Sequence, residues 1–237
     1  MQNTDLARDA RFLRVMAVIL LVMTLAAFAP RYLVPIAQGH YDPPSSWNLW
    51  MHPHAIAGFG FSILFILQPS LIARGQFAMH RALGWVGAAL VALSVVSGVG
   101  VQLGTFPTTP GDESNIVGGA FRLLQSLPMM VGFFMAAVWL RQRPDWHWRF
   151  IYMAAYAAVG TIIGRLFLHF TPMAPDMIGV MVGPANLAFV LVLPVSDKLR
   201  QGRVHKASWI SLGVFILFQI AVAPIALSGW WLNTVTA

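Results

Sequence analysis

Six side chains that can carry charge or bind a metal lie within or next to long apolar stretches of this sequence: His54, His80, Arg122, His147, Arg165 and His169. A cation near the centre of a membrane-spanning helix costs about 2.5–3.5 kcal/mol on insertion scales, so residues of this kind are candidates for function. Imidazole nitrogens bind transition metals and exchange protons near neutral pH, whereas guanidinium groups pair with carboxylates and phosphates. The pattern therefore indicates metal ligation, acid–base chemistry or anion binding.

The composition predicts that these residues sit in a membrane protein. Hydrophobic residues make up 58% of the 237 positions and charged residues only 10%, and the mean hydropathy is +0.70, which is outside the range of soluble domains. Seven apolar runs are each long enough to cross a hydrocarbon core about 30 Å thick. We therefore expect an all-α fold, a polytopic membrane helical bundle of about seven transmembrane helices in one integral membrane domain over residues 1–237. The runs cover residues 12–30, 52–73, 82–103, 118–140, 148–170, 177–196 and 207–229.

The loop charges predict the orientation of the chain. Arginine and lysine concentrate before span one and in the loops after spans two, four and six, while the other loops hold Asp42, Asp112, Glu113 and Asp176. The positive-inside rule then places the N-terminus in the cytoplasm. On this interpretation the net charge of +7 faces anionic lipid, and the basic stretches lack the interleaved aromatic residues of a nucleic-acid site. The lipid bilayer is the predicted partner, and no nucleic-acid partner is expected.

Acidic residues within the predicted spans, and cysteine anywhere in the chain, are absent from this sequence. All eight acidic residues fall in termini or predicted loops, so we expect no carboxylate within a span. That disfavours proton pumps, coupled transporters and magnesium-dependent membrane transferases. The chain has no cysteine, which excludes disulfides, iron–sulfur clusters and thiolate metal sites. Redox chemistry would therefore need a bound cofactor.

Span five carries a histidine at each end. His147 and His169 are 22 residues apart, which in one continuous helix is about 33 Å and within about 40° of the same face. Arg165 precedes His169 by one turn and adjoins it. The face between them is lined with small residues, including Ala154 and Ala158, which allow a flat group or another helix to approach closely.

The other spans add to this pattern. In span three His80 heads a stripe of small residues, and in span two the helical spacing favours His54 over His52 as the inward-facing residue. The predicted topology places His80 and His147 in the inner half of the membrane. The outer half receives His54, Arg122, Arg165 and His169. Asn186 and Gln219, in spans six and seven, are interpreted as packing contacts.

The run from His54 through "QPSLIARGQFAMHRALGWVG", followed by "DWHWRFIYMAAYAAVGTIIGRL", resembles the bacterial membrane family described as domain of unknown function 2306. The resemblance covers roughly residues 50–170, and it brings no established activity. It implies a multi-pass protein of the bacterial cytoplasmic (inner) membrane. The matching positions are His54, His80, Arg81, His147 and Arg165.

The segment "HRALG" is also similar to the start of the third helix in cytochrome b561-type proteins. The four-helix core of that family binds two haems between histidine pairs, one near each membrane surface. The resemblance implies a core formed by helices two to five, with His80 and His147 as metal ligands of an inner haem b. The outer haem pair departs from the family pattern, because span four carries Arg122 and Gln125 but no histidine. His169 of span five would then pair with His54 as the outer cofactor-binding residues.

Three functions stay open at this point. Neutral imidazoles can bind haem iron, small residues can admit the macrocycle and arginines can pair with propionates, which fits electron transfer to quinone or another electron carrier by a membrane oxidoreductase. Alternatively, Arg122 and Arg165 hold an anionic or lipid-like ligand in the outer leaflet, with His54 and His169 as catalytic acid and base. The third function is a non-catalytic assembly protein whose polar residues specify helix packing.

Overall fold

The computed structural model describes residues 3–40, 49–105 and 113–236, and helices account for nearly all of them. No strand occurs among these residues. Seven helical stretches are long and apolar enough to cross a membrane, which confirms the prediction of an all-α chain with seven spans. The protein is by this criterion a multi-pass membrane protein in a lipid bilayer, and its orientation stays a prediction.

Eleven α-helices make up the described part of the chain. Spans one, two, three, six and seven correspond to α1, α3, α4, α9 and α10; span four joins α5 to α6, and span five joins α7 to α8. The helices are α1 (Asn3–Phe28), α2 (Val34–Ala37), α3 (Met51–Ala73), α4 (Phe77–Thr105), α5 (Glu113–Ala120), α6 (Leu127–Trp139), α7 (Pro144–Tyr156), α8 (Val159–Phe170), α9 (Pro175–Gln201), α10 (Lys206–Ala226) and α11 (Gly229–Thr236).

Two π-helical segments, Ala29–Leu33 and Phe121–Ser126, precede α2 and α6. Each is followed two residues later by a proline, Pro35 in α2 and Pro128 in α6. A proline gives no N–H to the carbonyl four residues earlier, and its ring crowds that carbonyl. The wider turn of a π-helix accommodates this disturbance without ending the span.

The contacts divide the chain into two compact units, Met1–Val101 and Gln102–Ala237. In the first unit α1 packs closely along α3. Helix α4 meets α3 where leucines of one helix face glycines of the other: Leu90 lies 3.2 Å from the place of a Cβ on Gly60, and Leu64 lies 3.8 Å from that of Gly87. At both places the missing side chain of a glycine leaves room for a leucine of the other helix.

The second unit is organised around span five. In the most apolar 18-residue stretch of span five half of the residues are buried, whereas in each of the other spans a third or fewer are buried. Helix α7 packs on α6, α8 packs on α9, and α10 contacts both α7 and α9. Near the end of the chain Trp231 of α11 packs with Ile116, Ala120 and Ala226, and its Nε1 donates to the carbonyl of Ile116 at 3.0 Å.

Span five is not one helix. α7 ends at Tyr156 and α8 begins at Val159, with Ala157 and Ala158 in a turn between them. The expectation that His147 and His169 share one face assumed a continuous helix, and the helix is interrupted between them, so the shared face stays a prediction. The core of spans two to five stays a prediction, because spans two and three lie mainly in the first unit and spans four and five in the second.

Candidate functional site

His54 of α3 is held by a serine of α4. Ser97 donates its one hydroxyl proton to the carbonyl of Leu93 at 2.5 Å, so its oxygen accepts from His54 Nδ1 at 3.2 Å. The proton of the neutral imidazole therefore lies on Nδ1, as assigned from the hydrogen-bond network. Nε2 is then the nitrogen with the lone pair, the form required for metal binding or proton acceptance.

His52 takes the other side of the same helix. It is exposed, whereas His54 is half-buried, which confirms the predicted inward orientation of His54. The hydroxyl of Tyr32 lies 3.0 Å from His52 Nδ1, and burial raises the pKa of Tyr32 above 10.0. The tyrosine therefore stays protonated at neutral pH and can donate to the imidazole.

His147 shows the same anchoring as His54, in the second unit. Its Nδ1 lies 2.8 Å from the carbonyl of Ala137 at the end of α6. A carbonyl oxygen only accepts, so Nδ1 carries the proton and Nε2 holds the lone pair. Bonds of this kind to a carbonyl orient metal-binding histidines.

The structure distributes the predicted site residues between the two units. His80 lies half-buried in the first turn of α4, in the same unit as His54. The predicted pairs His80–His147 and His54–His169 each join residues of different units, and both stay predictions. The second unit contains Arg122, His147, Arg165 and His169.

Arg122 lies in the π-helical segment Phe121–Ser126, and its Nε donates to Oε1 of Gln102. Its Nη1 lies 3.0 Å from where a Cβ on Gly118 would be, so the glycine leaves room for the guanidinium. Gln125, in the same π-helical segment, is 3% exposed. Its Oε1 has no hydrogen-bond partner among the described residues. Two polar side chains of span four, Arg122 and Gln125, thus lie in its π-helical segment.

Arg165 and His169 lie one turn apart on α8, and both are half-buried. Leu168 and Phe170 beside them are exposed, at 47% and 63%, as expected for residues that face lipid. The polar side of this helix end is therefore the side turned toward the protein. The helical spacing puts both positions on this side of α8, and contact between the guanidinium and the imidazole stays a prediction.

A buried ionic network joins α7, α9 and α10, and it was not among the features predicted from the sequence. Arg149 and Asp197 are both fully buried, and Nη2 lies 2.5 Å from Oδ1. Arg149 Nε lies 3.1 Å from Asp197 Oδ2, which gives a two-pronged contact. Oδ2 also accepts from the Ser208 hydroxyl and from the His205 backbone N–H. Every partner in this network comes from within the second unit.

The imidazole of His205 extends the network. Its Nδ1 accepts from the backbone N–H of Ala207 at 3.1 Å and so caps α10. Its Nε2 therefore carries the proton and donates to Asp145 Oδ2 at 3.1 Å. Burial lowers the pKa of His205 below 6.5, and the positive charge of Arg149 lowers it further, while Asp145 opposes the shift.

The expectation that no carboxylate lies within a span is wrong. Asp9, Asp145 and Asp197 all belong to the helical stretches that can cross a membrane, because these helices continue beyond the apolar runs. α9, for example, ends at Gln201, whereas its apolar run ends at residue 196. Arg149 and Asp197 are 48 residues apart, and no motif in the sequence links them. Only the charge of Arg149 inside an apolar run could have drawn attention to it.

Within the described ranges, no three or more histidine, aspartate or glutamate side chains form a group that could hold a metal ion. No known family model matches the chain, and no curated protein and no solved structure is significantly similar to it. The resemblances to the domain of unknown function 2306 and to cytochrome b561-type proteins stay predictions.

Proposed function

We propose that this membrane protein binds haem b through histidine and transfers electrons to quinone or another electron carrier. The observation that carries the proposal is the anchoring of His147. Its Nδ1 is bonded to the Ala137 carbonyl at 2.8 Å, which orients the ring and leaves Nε2 in the form that binds iron. His54 is prepared in the same way by Ser97.

The residues present fit such a group. Both anchored imidazoles are half-buried in apolar spans, and a bis-histidine haem needs no carboxylate or thiolate from the protein. When bound, the haem supplies one-electron chemistry. The chain's part is to orient Nε2 of His147 and His54, to exclude water from the iron, and to hold propionates with arginine. His80 and His169 are the second ligands predicted from the sequence.

A reduced-minus-oxidised absorbance spectrum of the purified protein tests this function. The protein is expressed with ample haem supply and solubilised in detergent. We expect a Soret band in the wild type, and its loss or shift in His147→Ala or in His54→Ala. The matched control is His52→Ala, at an exposed histidine of the same helix as His54, which should keep the wild-type spectrum. A folded wild-type protein without a Soret band and without bound iron would exclude haem.

Gln125 favours a second candidate function, binding of an anionic, lipid-like ligand near Arg122. A buried amide oxygen without a hydrogen bond costs about 1–3 kcal/mol, and Gln125 Oε1 is such an atom within the described residues. A hydroxyl-bearing headgroup would donate to this oxygen, while the guanidinium of Arg122 would hold its anionic group. Arg165 and His169 on α8 supply a second guanidinium and imidazole for binding or for acid–base catalysis.

Thermal unfolding in nanodiscs tests this second function. We expect discs of phosphatidylglycerol, which has a charged phosphate and free hydroxyls, to stabilise the protein more than discs of phosphatidylcholine. Arg122→Gln and Gln125→Leu should abolish the difference, and Arg141→Gln, a loop arginine, should not. Gln125→Leu should also stabilise the protein in phosphatidylcholine, because it removes the unpaired oxygen. Equal stability in both lipids would contradict the proposal.

A further inference from the structure

The interruption of span five lies near the middle of the span. Ala157 and Ala158 are about 20 Å from each end of the stretch Pro144–Phe170 at about 1.5 Å per residue, which is the depth of the bilayer centre. Ala157 is 4% exposed and the flanking Tyr156 and Val159 are 1% and 0% exposed. Non-helical backbone at this depth is tolerated where the protein buries it, and in transporters such broken helices hold ions.

The interruption changes the backbone hydrogen bonds. In a continuous helix the N–H of Thr161 would donate to the carbonyl of Ala157, four residues earlier. Here it donates to the carbonyl of Ala158 at 3.1 Å. The Ala157 carbonyl, at the negative end of α7, therefore loses its regular donor and becomes an available acceptor. The hydroxyl of Thr161 is a further oxygen in the same first turn of α8.

Asn186 of α9 provides an independent observation at the same place. Its Nδ2 lies 3.1 Å, and its Cγ 3.7 Å, from where a Cβ on Gly160 would be, so the amide is packed against the first turn of α8. The residue is 6% exposed, and its Oδ1 has no hydrogen-bond partner within residues 3–40, 49–105 and 113–236. An amide oxygen left in this state in an apolar span requires either a hydrogen-bond donor or a cation that it can coordinate.

We propose that the interruption of span five and Asn186 form a binding site for a monovalent cation. The candidate ligands that we assign to it are the amide oxygen of Asn186, the carbonyl of Ala157 and the hydroxyl of Thr161, which are all hard oxygen donors. They carry no formal charge, which suits a singly charged ion better than a divalent one. Gly160 is the residue that makes the site possible, because any side chain there would push the amide away from α8.

Thermal unfolding in different chloride salts of equal ionic strength tests the site. Sodium, lithium, potassium and ammonium are compared with N-methyl-D-glucamine, a cation too large for the site. We expect at least one small cation to raise the midpoint with a saturable concentration dependence. Asn186→Leu should remove the effect, and Gly160→Ala should weaken it. Gly183→Ala is the matched control, because a Cβ on Gly183 meets no atom within 4 Å.

Asn186→Asp provides a test in the opposite direction. A carboxylate at this position should tighten binding of the same cation by about tenfold or more, because it adds a full negative charge in a low-dielectric site. Asn186→Leu should meanwhile leave the protein folded and more stable without salt, because it removes an unpaired polar atom. Identical midpoints in all salts for the wild type would overturn the proposal, and so would a salt effect that persists in Asn186→Leu. The haem spectrum is a separate readout, so each proposal can fail alone.

Discussion

Arg149 and Asp197 form an ion pair whose two side chains are both fully buried, and this pair ties α7 to α9. Ser208 and the backbone N–H of His205 complete the coordination of the carboxylate, and the Asp145 carbonyl accepts from Arg149 Nη1 at 2.6 Å. Arg149 also lies over the ring of Trp148, 4.2 Å from its centroid. The charges are therefore neutralised and bonded from several sides, which is the condition under which a buried pair is tolerated.

Breaking this pair should strongly destabilise the protein. Arg149→Met leaves a buried carboxylate without its main partner, and Asp197→Asn leaves a buried guanidinium, so each should lower the free energy of unfolding by about 3–5 kcal/mol. The double variant should cost clearly less than the sum, because neither stranded charge remains. Thermal unfolding in detergent of the wild type, the two single variants and the double variant measures the coupling energy between the two side chains. Arg203→Met, at an exposed arginine, is the control, and additive effects at Arg149 and Asp197 would contradict the pair's role.

Acidification should destabilise the protein through His205. Its pKa is below 6.5 in the folded state because of burial and Arg149. Below pH 6.5 the unfolded chain binds a proton that the folded chain does not, so this contribution to stability is present above pH 6.5 and is lost as the pH falls toward the folded pKa. Protonation would also remove Nδ1 as the acceptor for Ala207.

The midpoint of thermal unfolding between about pH 7.5 and about pH 5 measures this effect. His205→Gln should reduce the decline on the acid side. Asp145→Asn should extend the decline to lower pH, because Asp145 raises the pKa of His205 more than Asp197 does. If the unfolding midpoint of His205→Gln depends on pH in the same way as that of the wild type, this histidine does not cause the loss of stability at low pH.

A side chain at Gly100 should destabilise the protein. A Cβ there would fall onto ring atoms of Trp50 in the same unit, so Gly100→Ala must displace the indole. We expect a cost of about 1–3 kcal/mol, as for overpacking elsewhere, together with a shift in tryptophan fluorescence. Gly84→Ala on the same helix is the matched control, because its Cβ meets nothing within 4 Å. That change should be neutral or stabilising by up to about 1 kcal/mol.

Trp231 should contribute to stability in a way that its neighbour Trp230 does not. Trp231 is 8% exposed and Trp230 is 65% exposed, and only Trp231 has a described bond from its indole, to the Ile116 carbonyl. Trp231→Phe removes that bond and part of a buried ring, so we expect a loss of about 1–2 kcal/mol. Trp230→Phe should change the unfolding midpoint little. Equal losses for the two variants would exclude a specific role for the bond.

Hydropathy alone was enough to predict the seven spans, because each span must satisfy its backbone within a helix and cover it with apolar side chains. The inward orientation of His54 also followed from sequence, since helical spacing assigns side chains to faces. These properties depend on neighbours within a few residues. They can therefore be predicted without knowing which helices pack against each other.

The folded chain was needed for everything that joins distant positions. Nothing near Arg149 in sequence indicates Asp197, and nothing near Gly160 indicates Asn186, because these contacts arise from packing between helices. The interruption at Ala157 and Ala158 was also hidden, since neither alanine breaks a helix and the apolar run is unbroken there. Partners from other spans determine which polar groups have hydrogen bonds and which do not. The candidate sites of this protein depend on those contacts, so they required the tertiary structure.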